Sequence, residues 1–507
     1  MNLIKSIKIE HVILFILSFF FSLIFFNDQV AVRGGLIISG EVIYEDNISP
    51  LKYYFLNSWT LITQLSAIFL KLGISTKITS FLLVFFLNLI LFYSCFLIFS
   101  EFTKDKKLSI VLSIFLIFFQ KNLGDTDYPS LIFTIHTFGA YAQALSGLII
   151  INIIIKNYRT SLFLILLLCT IHPVIGLWLI SIFSLVILFQ KEVKNLKIYK
   201  KSFILGLLII FLSLFFFFYF SIETFSYDKN LYNTYLENWD GHRSKTKNFH
   251  YEYVLKTLIF LFIVNIFCHN KIEHKFSLMF LNIMIFSSVL IYFLFKFFNL
   301  NNIGILSYMI PGRFMIIYTF IAWPITLAFL YYKFHEYKYI KHFFYFLVIL
   351  YTGMHYNNLI NLKNAVYKFD IITNFKSEDK VFKKLYEIKD TGNVIATEQS
   401  AFKVLYLSKK PLLFMKSFDY LPIHKYLTPS VKSILTEVYG YNFDNPPIKN
   451  LPQLNDNFIK KNFENKSSND WMKIKNNFNS NYLITPRSWK LDLELFYYDK
   501  YFNLYRI

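Results

Sequence analysis

Residues 203–220 read FILGLLIIFLSLFFFFYF and carry no charged side chain. A helix that is apolar on every side and roughly 20 residues long spans a hydrocarbon layer of ~30 Å. Comparable runs recur along the chain as far as residue 359. A signal peptide or a single anchor supplies only one such run. The repetition therefore predicts an all-α polytopic membrane domain.

About eleven spans follow from these apolar runs. Hydrophobic residues make up 55% of the 507 residues, and 61 of them are Phe. This excess over the roughly 45–50% of ordinary soluble domains is concentrated in the runs. We assign residues 1–360 to a multi-pass membrane domain and residues 361–507 to a separate C-terminal domain. The predicted spans are 12–27, 78–100, 108–120, 139–155, 160–172, 174–190, 202–220, 254–270, 276–297, 313–332 and 342–359.

The basic residues set the predicted orientation. The formal net charge of +20 could indicate nucleic-acid binding, but Lys and Arg cluster between the apolar runs, so we expect no nucleic-acid partner. If the N-terminus is cytoplasmic, the inner loops hold more basic residues than the outer loops, and this distribution favours a plasma (inner) membrane protein with that orientation. An odd number of spans then places residues 361–507 outside the cytoplasm. The predicted outer loops are 28–77, 120–139, 221–253 and 298–313.

Two segments leave the span count open. Residues 161–190 form either one kinked helix or a hairpin broken at His172-Pro173, and the basic cluster that follows favours the hairpin. Residues 55–72 have the periodicity of an amphipathic helix on the outer membrane surface. Its predicted apolar face consists of Leu61, Leu65, Ile68 and Leu72.

The C-terminal domain is charged and polar, and its short runs alternate between strand and helix. Residues 393–397 predict a buried strand, 400–407 a helix and 411–415 a second strand. Residues 481–485 and 493–507 predict further strands. The alternation predicts a small extracytoplasmic α/β domain. The three cysteines of the chain lie in or beside apolar runs and exclude a disulfide framework or a zinc-binding spacing.

Acidic residues in the predicted outer loops are candidates for chemistry. Asp28 ends the first span, where a carboxylate is either a general base or metal ligand, or a charge at the headgroup level. Asp125 and Asp127 lie on one side of an extended chain, which suits a metal ion or sugar hydroxyls but also a polar turn. Glu45 and Asp46 either contact substrate or form a solvated turn.

His172 and Arg313 are the basic candidates at predicted outer span ends. His172 interrupts an apolar stretch, so it is either functional or a cap satisfied by a nearby carbonyl. Arg313 follows Pro311-Gly312 and either contacts a phosphate or extends to the headgroups. Tyr128 and His136 in the second outer loop are further candidates for substrate binding.

The order of these features resembles the GT-C class of polytopic membrane glycosyltransferases, in particular bacterial members of that class. A first span ending in an Asp is followed by a long outer loop with an amphipathic helix, and the next outer loop holds a second acidic pair. Here Asp28 stands alone, whereas many members carry an adjacent acidic pair. The resemblance also rests on Gly40, Tyr44, Pro50, Tyr53-Tyr54, His172-Pro173, Pro311-Gly312-Arg313-Phe314 and Leu504-Tyr505-Arg506.

The resemblance implies inverting transfer of a hexosyl or pentosyl unit from a polyprenyl-phosphate-linked donor to an extracytoplasmic glycan, lipid or protein acceptor. It makes Asp28 the catalytic base, Asp125 or Asp127 a second acidic group, and Arg313 the contact to the lipid-linked phosphate. His172 is the remaining catalytic candidate. A divalent cation, Mg²⁺ or Mn²⁺, is the only cofactor implied, with Asp28 and Asp127 as candidate ligands.

Three other functions are compatible with the same pattern. A polysaccharide polymerase or ligase acting on lipid-linked glycans would depend on outer-loop Arg residues rather than on Asp28. A transporter or flippase would show inverted repeats and mid-span charges, whereas the sequence shows no repeat and its charges lie at span ends. A non-catalytic membrane scaffold that binds glycan is the third alternative.

Overall fold

The computed structural model describes residues 9–25, 32–118, 138–189, 199–224, 226–240, 251–271, 275–298, 300, 306, 309, 311–316, 319–354, 380–416, 424–451 and 453–507. Most of these residues are helical, and a small sheet lies near the C-terminus. Two hydrophobic cores are present, one inside the bundle of apolar helices and one in the C-terminal domain.

The apolar runs form the helical bundle. Each predicted span coincides with a helix, except that the described part of 313–332 consists of two helices. Within the described ranges, three helices are long and apolar enough to cross a membrane, namely Thr76–Thr103, Lys200–Phe220 and Phe276–Phe298. The figure of eleven crossings therefore stays a prediction. The bundle consists of α1 (Ile9–Phe25), α5 (Thr76–Thr103), α6 (Lys106–Phe118), α7 (Phe138–Ile154), α8 (Tyr158–Ile171), α9 (Pro173–Phe189), α10 (Lys200–Phe220), α12 (Tyr251–Lys271), α13 (Lys275–Phe298), α14 (Gly312–Ile316), α15 (Thr319–Phe334) and α16 (Ile340–Met354).

Helices α8 and α9 form the predicted hairpin rather than one kinked helix. Helix α8 ends at Ile171, and α9 begins at Pro173, whose missing N–H is tolerated in a first helical turn. The two helices pack against each other closely enough that a Cβ on Gly176 would lie 2.6 Å from the Cα of Cys169. The chain therefore turns back at His172.

Within the described ranges, four shorter helices lie in the loops between the long ones. Their bounds are α2 (Val32–Ser39), α3 (Pro50–Leu56), α4 (Leu61–Lys71) and α11 (Lys229–Asn238). The predicted helix over residues 55–72 is wrong as a single element, because the chain bends between Leu56 and Leu61. Ile68 is 40% exposed and Leu72 is 72% exposed, so part of the predicted apolar face is turned away from the protein, as on a helix that lies on a membrane surface.

Small residues explain which face of α4 is buried. A Cβ on Gly35 of α2 would lie 2.0 Å from Ser66 Oγ and 3.0 Å from the backbone N of Ala67, both on α4. A Cβ on Gly34 would lie 2.4 Å from a side-chain carbon of Thr63. Glycine facing Ser and Ala lets two helix backbones approach closely, and this approach turns the opposite side of α4 outward.

The C-terminal domain is α/β, as predicted. Its sheet has the strand order β1-β2-β4-β3, where β1 and β2 are parallel and the other pairs are antiparallel. The predicted strand at 411–415 contributes a single parallel bridge, between Leu412 and Val394. The elements are α17 (Lys380–Glu387), β1 (Val394–Ala396), α18 (Glu398–Tyr406), a 3₁₀ turn (Lys425–Leu427), α19 (Thr428–Ser433), a π-helical turn (Ile434–Val438), α20 (Asp456–Glu464), α21 (Ser468–Phe478), β2 (Tyr482–Pro486), β3 (Glu494–Tyr498) and β4 (Phe502–Arg506).

The first loop and the α/β domain share one hydrophobic core. The core includes Val32 and Leu51 of the first loop, Trp239 after α11, and Leu483 of β2. Trp239 is fully buried and donates its indole N–H to the carbonyl of Phe443 at 2.8 Å. Segments that are distant in sequence and separated by apolar helices therefore fold as one body.

We expect Gly35→Ala to destabilise this body. The added methyl group overlaps Ser66 and the backbone at Ala67, and overpacking of this kind costs roughly 1–3 kcal/mol. Gly353→Ala is the matched control, because no atom lies within 4 Å of a Cβ built there. Thermal unfolding of the two purified variants measures the difference, and an equal transition temperature for both would contradict the close approach of α2 and α4.

Candidate functional site

Four of the nine predicted site residues lie in the described part of the chain. They are His172, Arg313, Glu45 and Asp46. The other five lie outside the described residues: Asp28, Asp125, Asp127, Tyr128 and His136. The four described residues divide between two places, one at the α8–α9 hairpin and one at the first loop.

His172 sits at the turn of the hairpin and is 8% exposed. Its Nδ1 accepts a long hydrogen bond from the backbone N–H of Ile175 at 3.5 Å. This contact places the imidazole at the first turn of α9. The contact agrees with the capping role considered from sequence, in which the backbone at the helix break satisfies the ring.

Arg313 lies beside this hairpin. Its guanidinium is close enough to His172 to act on the imidazole electrostatically. The neighbouring residue Phe314 packs edge-on against Trp178 of α9, with ring centroids 5.2 Å apart. Two of the predicted site residues, distant in sequence, are thus brought together by the packing of α14 on α9.

The bend between α3 and α4 lies against the same hairpin. Thr60 donates its hydroxyl to the carbonyl of Ile171 at 3.1 Å and so does not cap α4. Trp59 donates its indole N–H to Ser213 Oγ of α10 at 2.9 Å. Gln64 is bound to the same serine at 2.7 Å and 2.6 Å. The first loop therefore contacts both the end of α8 and the side of α10.

A buried histidine that the sequence did not single out joins this bend to the α/β domain. His424 is 6% exposed, and its Nε2 lies 3.2 Å from the hydroxyl of Ser58. Its Nδ1 lies 3.4 Å from the hydroxyl of Tyr426, to which Asn57 donates an amide N–H at 2.8 Å. Asn57 also accepts from the backbone N–H of Ile222, after α10, at 2.9 Å. Three segments of the chain are tied together here.

The geometry of His424 favours a neutral ring. Each hydroxyl can donate to or accept from one ring nitrogen, so a neutral imidazole satisfies both. Burial lowers the pKa of His424 to about 4, because the protonated ring would lose its hydration. No local pattern predicts this contact, since Ser58 and His424 are far apart in sequence.

Asp46 holds the first loop on the α/β domain. Its carboxylate accepts from the Asn393 amide at 2.9 Å and 3.2 Å, and from the Asn479 amide at 2.9 Å. The backbone N–H of Ile48 donates to it at 3.1 Å. Glu45, the other predicted substrate contact in this loop, is exposed. Asp46 is therefore engaged in positioning, while Glu45 remains accessible.

A buried charge lies in the same interface. Arg33 of α2 is 4% exposed, and its guanidinium stacks 3.3 Å from the centroid of the Phe402 ring. Glu398 attracts it electrostatically and also accepts the backbone N–H of Lys416 at 2.7 Å. A buried charge is costly unless an opposite charge and hydrogen bonds accompany it. The start of α2 is therefore fixed to α18.

Within the described ranges, no three His, Cys, Asp or Glu side chains lie close enough together to hold a metal ion. The oxygens of Asp46 are already occupied by N–H donors, which suits hydrogen bonding rather than a cation. Asp28 and Asp127, the predicted ligands of Mg²⁺ or Mn²⁺, lie outside those ranges.

We expect acid to weaken the joint at His424. The imidazole of His424 becomes protonated near pH 6.5 in the unfolded chain but only near pH 4 in the folded chain. The free energy of unfolding is therefore highest above about pH 6.5 and falls as the pH drops towards 4. The full loss is about 3 kcal/mol. Unfolding temperatures measured from pH 7.5 to pH 4.5 test this dependence.

His424→Gln removes the titrating group, so its stability should change less over this pH range than that of the wild type. His335→Gln is the matched control because His335 is exposed. If the wild type and His424→Gln show the same pH dependence, the neutral buried ring is refuted.

Comparisons with family models and with curated proteins found no match. A functional proposal for this chain therefore rests on its own residues and contacts.

Proposed function

We propose that the protein is a membrane glycosyltransferase that moves a sugar from a polyprenyl-phosphate-linked donor to an extracytoplasmic acceptor. The observation that carries the proposal is the meeting of three elements at one place. These are the His172 hairpin, Arg313, and the bend of the first loop at Thr60. Arg313, His172 and the start of α9 lie together next to apolar helices. A phosphate on a lipid carrier could approach such a place from the bilayer.

The donor phosphate fits beside Arg313. A guanidinium presents two parallel N–H donors to phosphate oxygens and stays charged at all physiological pH values. The first turn of α9 begins at Pro173, and the start of a helix carries a partial positive charge that also favours an anion. The imidazole of His172 lies beside this guanidinium and is the third polar group of the proposed phosphate site. Together they stabilise the charge that develops on the leaving phosphate.

The acceptor is activated by Asp28. This residue lies four positions before Val32, and α2 is anchored from its first turn by the stacking of Arg33 on Phe402. As the acceptor oxygen attacks the anomeric carbon, its proton passes to the carboxylate of Asp28. The bond from the anomeric carbon to the phosphate oxygen breaks on the opposite face, so the configuration inverts. Asp125 or Asp127 serves as the second acidic group that binds sugar hydroxyls, and Tyr128 and His136 belong to the same loop.

The contacts support the proposed orientation. The first loop, the segment around α11 and the C-terminal domain share one core, as segments on the same side of a membrane can. At other helix ends, Lys106 pairs with Glu10 at 2.8 Å and Lys341 pairs with Asp105. Both lysines belong to loops that the charge distribution places in the cytoplasm. We therefore place the N-terminus in the cytoplasm and the α/β domain outside it, with about eleven spans between them.

The proposed transfer step does not require a metal ion. If a divalent cation takes part, Asp28 and Asp127 are its ligands in this proposal, and it would neutralise phosphate charge. The roles given to Arg313 and His172 do not depend on it.

Asp28→Asn should abolish transfer. General-base catalysis contributes roughly 10²–10⁴-fold to a rate, so we expect at least a 100-fold fall in turnover. The assay uses the full chain in nanodiscs with a panel of polyprenyl-phosphate hexose and pentose donors and a cell-envelope glycan fraction. Release of polyprenyl phosphate is measured by mass spectrometry. Glu223→Gln, an exposed acidic residue after α10, is the control, and wild-type turnover by Asp28→Asn would reject the assigned base.

Arg313→Lys should raise the KM for the donor by about tenfold, because lysine keeps the charge but loses the bidentate contact. Arg313→Gln should raise it further. The matched control is Arg159→Gln, since Arg159 is exposed in the first turn of α8. An unchanged KM for the donor in both Arg313 variants would show that the phosphate binds elsewhere.

A further inference from the structure

A cleft of about 240 Å³ separates the first loop from the α/β domain. The first loop contributes the segment from Glu41 to Asp46, and the domain contributes residues before β1, before β2 and after α18. Both walls are polar, with Ile43 and Pro411 as the apolar exceptions. The cleft lies at the interface that the hydrogen bonds of Asp46 bridge.

The floor of the cleft is rigid. Asn393 and Asn479 both donate to Asp46, as described above, and Asn393 also donates to the carbonyl of Phe478 at 2.9 Å. Gly392 has a φ of +54°, and a Cβ there would lie 2.1 Å from the carbonyl oxygen of Asn479. A site whose floor is held in this way binds a ligand without first having to be ordered.

The rim, in contrast, carries charged groups that are not engaged. Glu45, Lys389 and Asp390 are exposed, and none of the three makes a hydrogen bond or ion pair within the described part of the chain. On the opposite side Lys409 is paired with Glu41. Two carboxylates and one ammonium group therefore face the cleft with their hydrogen-bonding capacity available.

We propose that this cleft is a distal acceptor subsite that binds an oligosaccharide, remote from the sugar that reacts. Sugar hydroxyls both donate and accept, so they match carboxylates, amides and an ammonium group together. A polyanion would be repelled by the carboxylates of Glu45 and Asp390, and a polycation by the lysines. An apolar chain would bury little of its surface against apolar side chains in this cleft.

The position of the cleft makes it distal. Helix α3 separates Asp46 from the bend at Asn57 and is about 10 Å long at 1.5 Å per residue. A saccharide held in the cleft is therefore separated by the length of this helix from the bend that contacts the hairpin at His172. Binding energy from such a remote part of a substrate selects long acceptors over short ones.

This inference rests on the proposed function for the identity of the ligand as an acceptor, but binding can be tested without the donor. The full chain in nanodiscs is titrated with maltotriose, cellotriose and chitotriose, and with glucose and N-acetylglucosamine. Saturation-transfer NMR measures binding. We expect at least one trisaccharide to bind more tightly than its monosaccharide.

The test variant is Lys389→Gln/Asp390→Asn, which leaves the net charge unchanged. Loss of hydrogen bonds to two charged groups should weaken trisaccharide binding by about tenfold. The matched control is Lys383→Gln/Glu494→Gln, which also keeps the net charge and changes exposed residues of the same domain. It should bind within about twofold of the wild type.

Two results would overturn the subsite: no trisaccharide binding by the wild type, or equal binding by the test and control variants. Because no donor is present, neither result depends on whether transfer occurs. The two proposals can also be separated in the other direction. If saccharide binding is lost only in the test variant, the subsite is supported. If the wild type then releases no polyprenyl phosphate in the transfer assay, the proposed enzyme activity is rejected.

Discussion

The close contact between α2 and α4 is the constraint on which the rest of the structure depends. Gly35 leaves no room for a side chain against Ser66 and Ala67, and Gly34 leaves none against Thr63, so the two helix backbones pack directly. One side of this pair is buried under the α/β domain through Val32 and Arg33. The other side contacts α10 through Gln64 and the hairpin through Thr60. The first loop is therefore the connection between the membrane helices and the C-terminal domain.

Buried polar side chains at this connection form hydrogen bonds with one another, because water does not reach them. In α10, where almost every side chain is apolar, Ser213 is bound by both Trp59 and Gln64. The same rule holds inside the bundle, where Asn265 and Asn282 exchange amide hydrogen bonds at 2.9 Å and 3.0 Å. An unsatisfied amide in an apolar surrounding costs several kcal/mol, so such pairs select one helix arrangement.

The proposed chemistry divides between two places that the first loop connects. In the proposed function the donor binds at the hairpin, beside Arg313 and His172. The acceptor side runs along the seam with the α/β domain, where amide and charged groups suit hydroxyls. Helix α3 sets the distance between the two, so an acceptor longer than one sugar can contact both. This separation lets binding energy from one end of a substrate serve the reaction at the other.

The sequence by itself determined the elements whose signal is local. Apolar length predicts the helices of the bundle, Pro173 predicts the break of the hairpin, and alternating short runs predict the strands of the α/β domain. The charge distribution predicts which loops belong together. Only the tertiary structure decided which helix packs against the other face of α4, because that close approach depends on Gly35 and Ser66, which lie on separate helices. It also decided that Asp46 positions the loop and that His424 joins three segments, since both depend on partners far away in the chain.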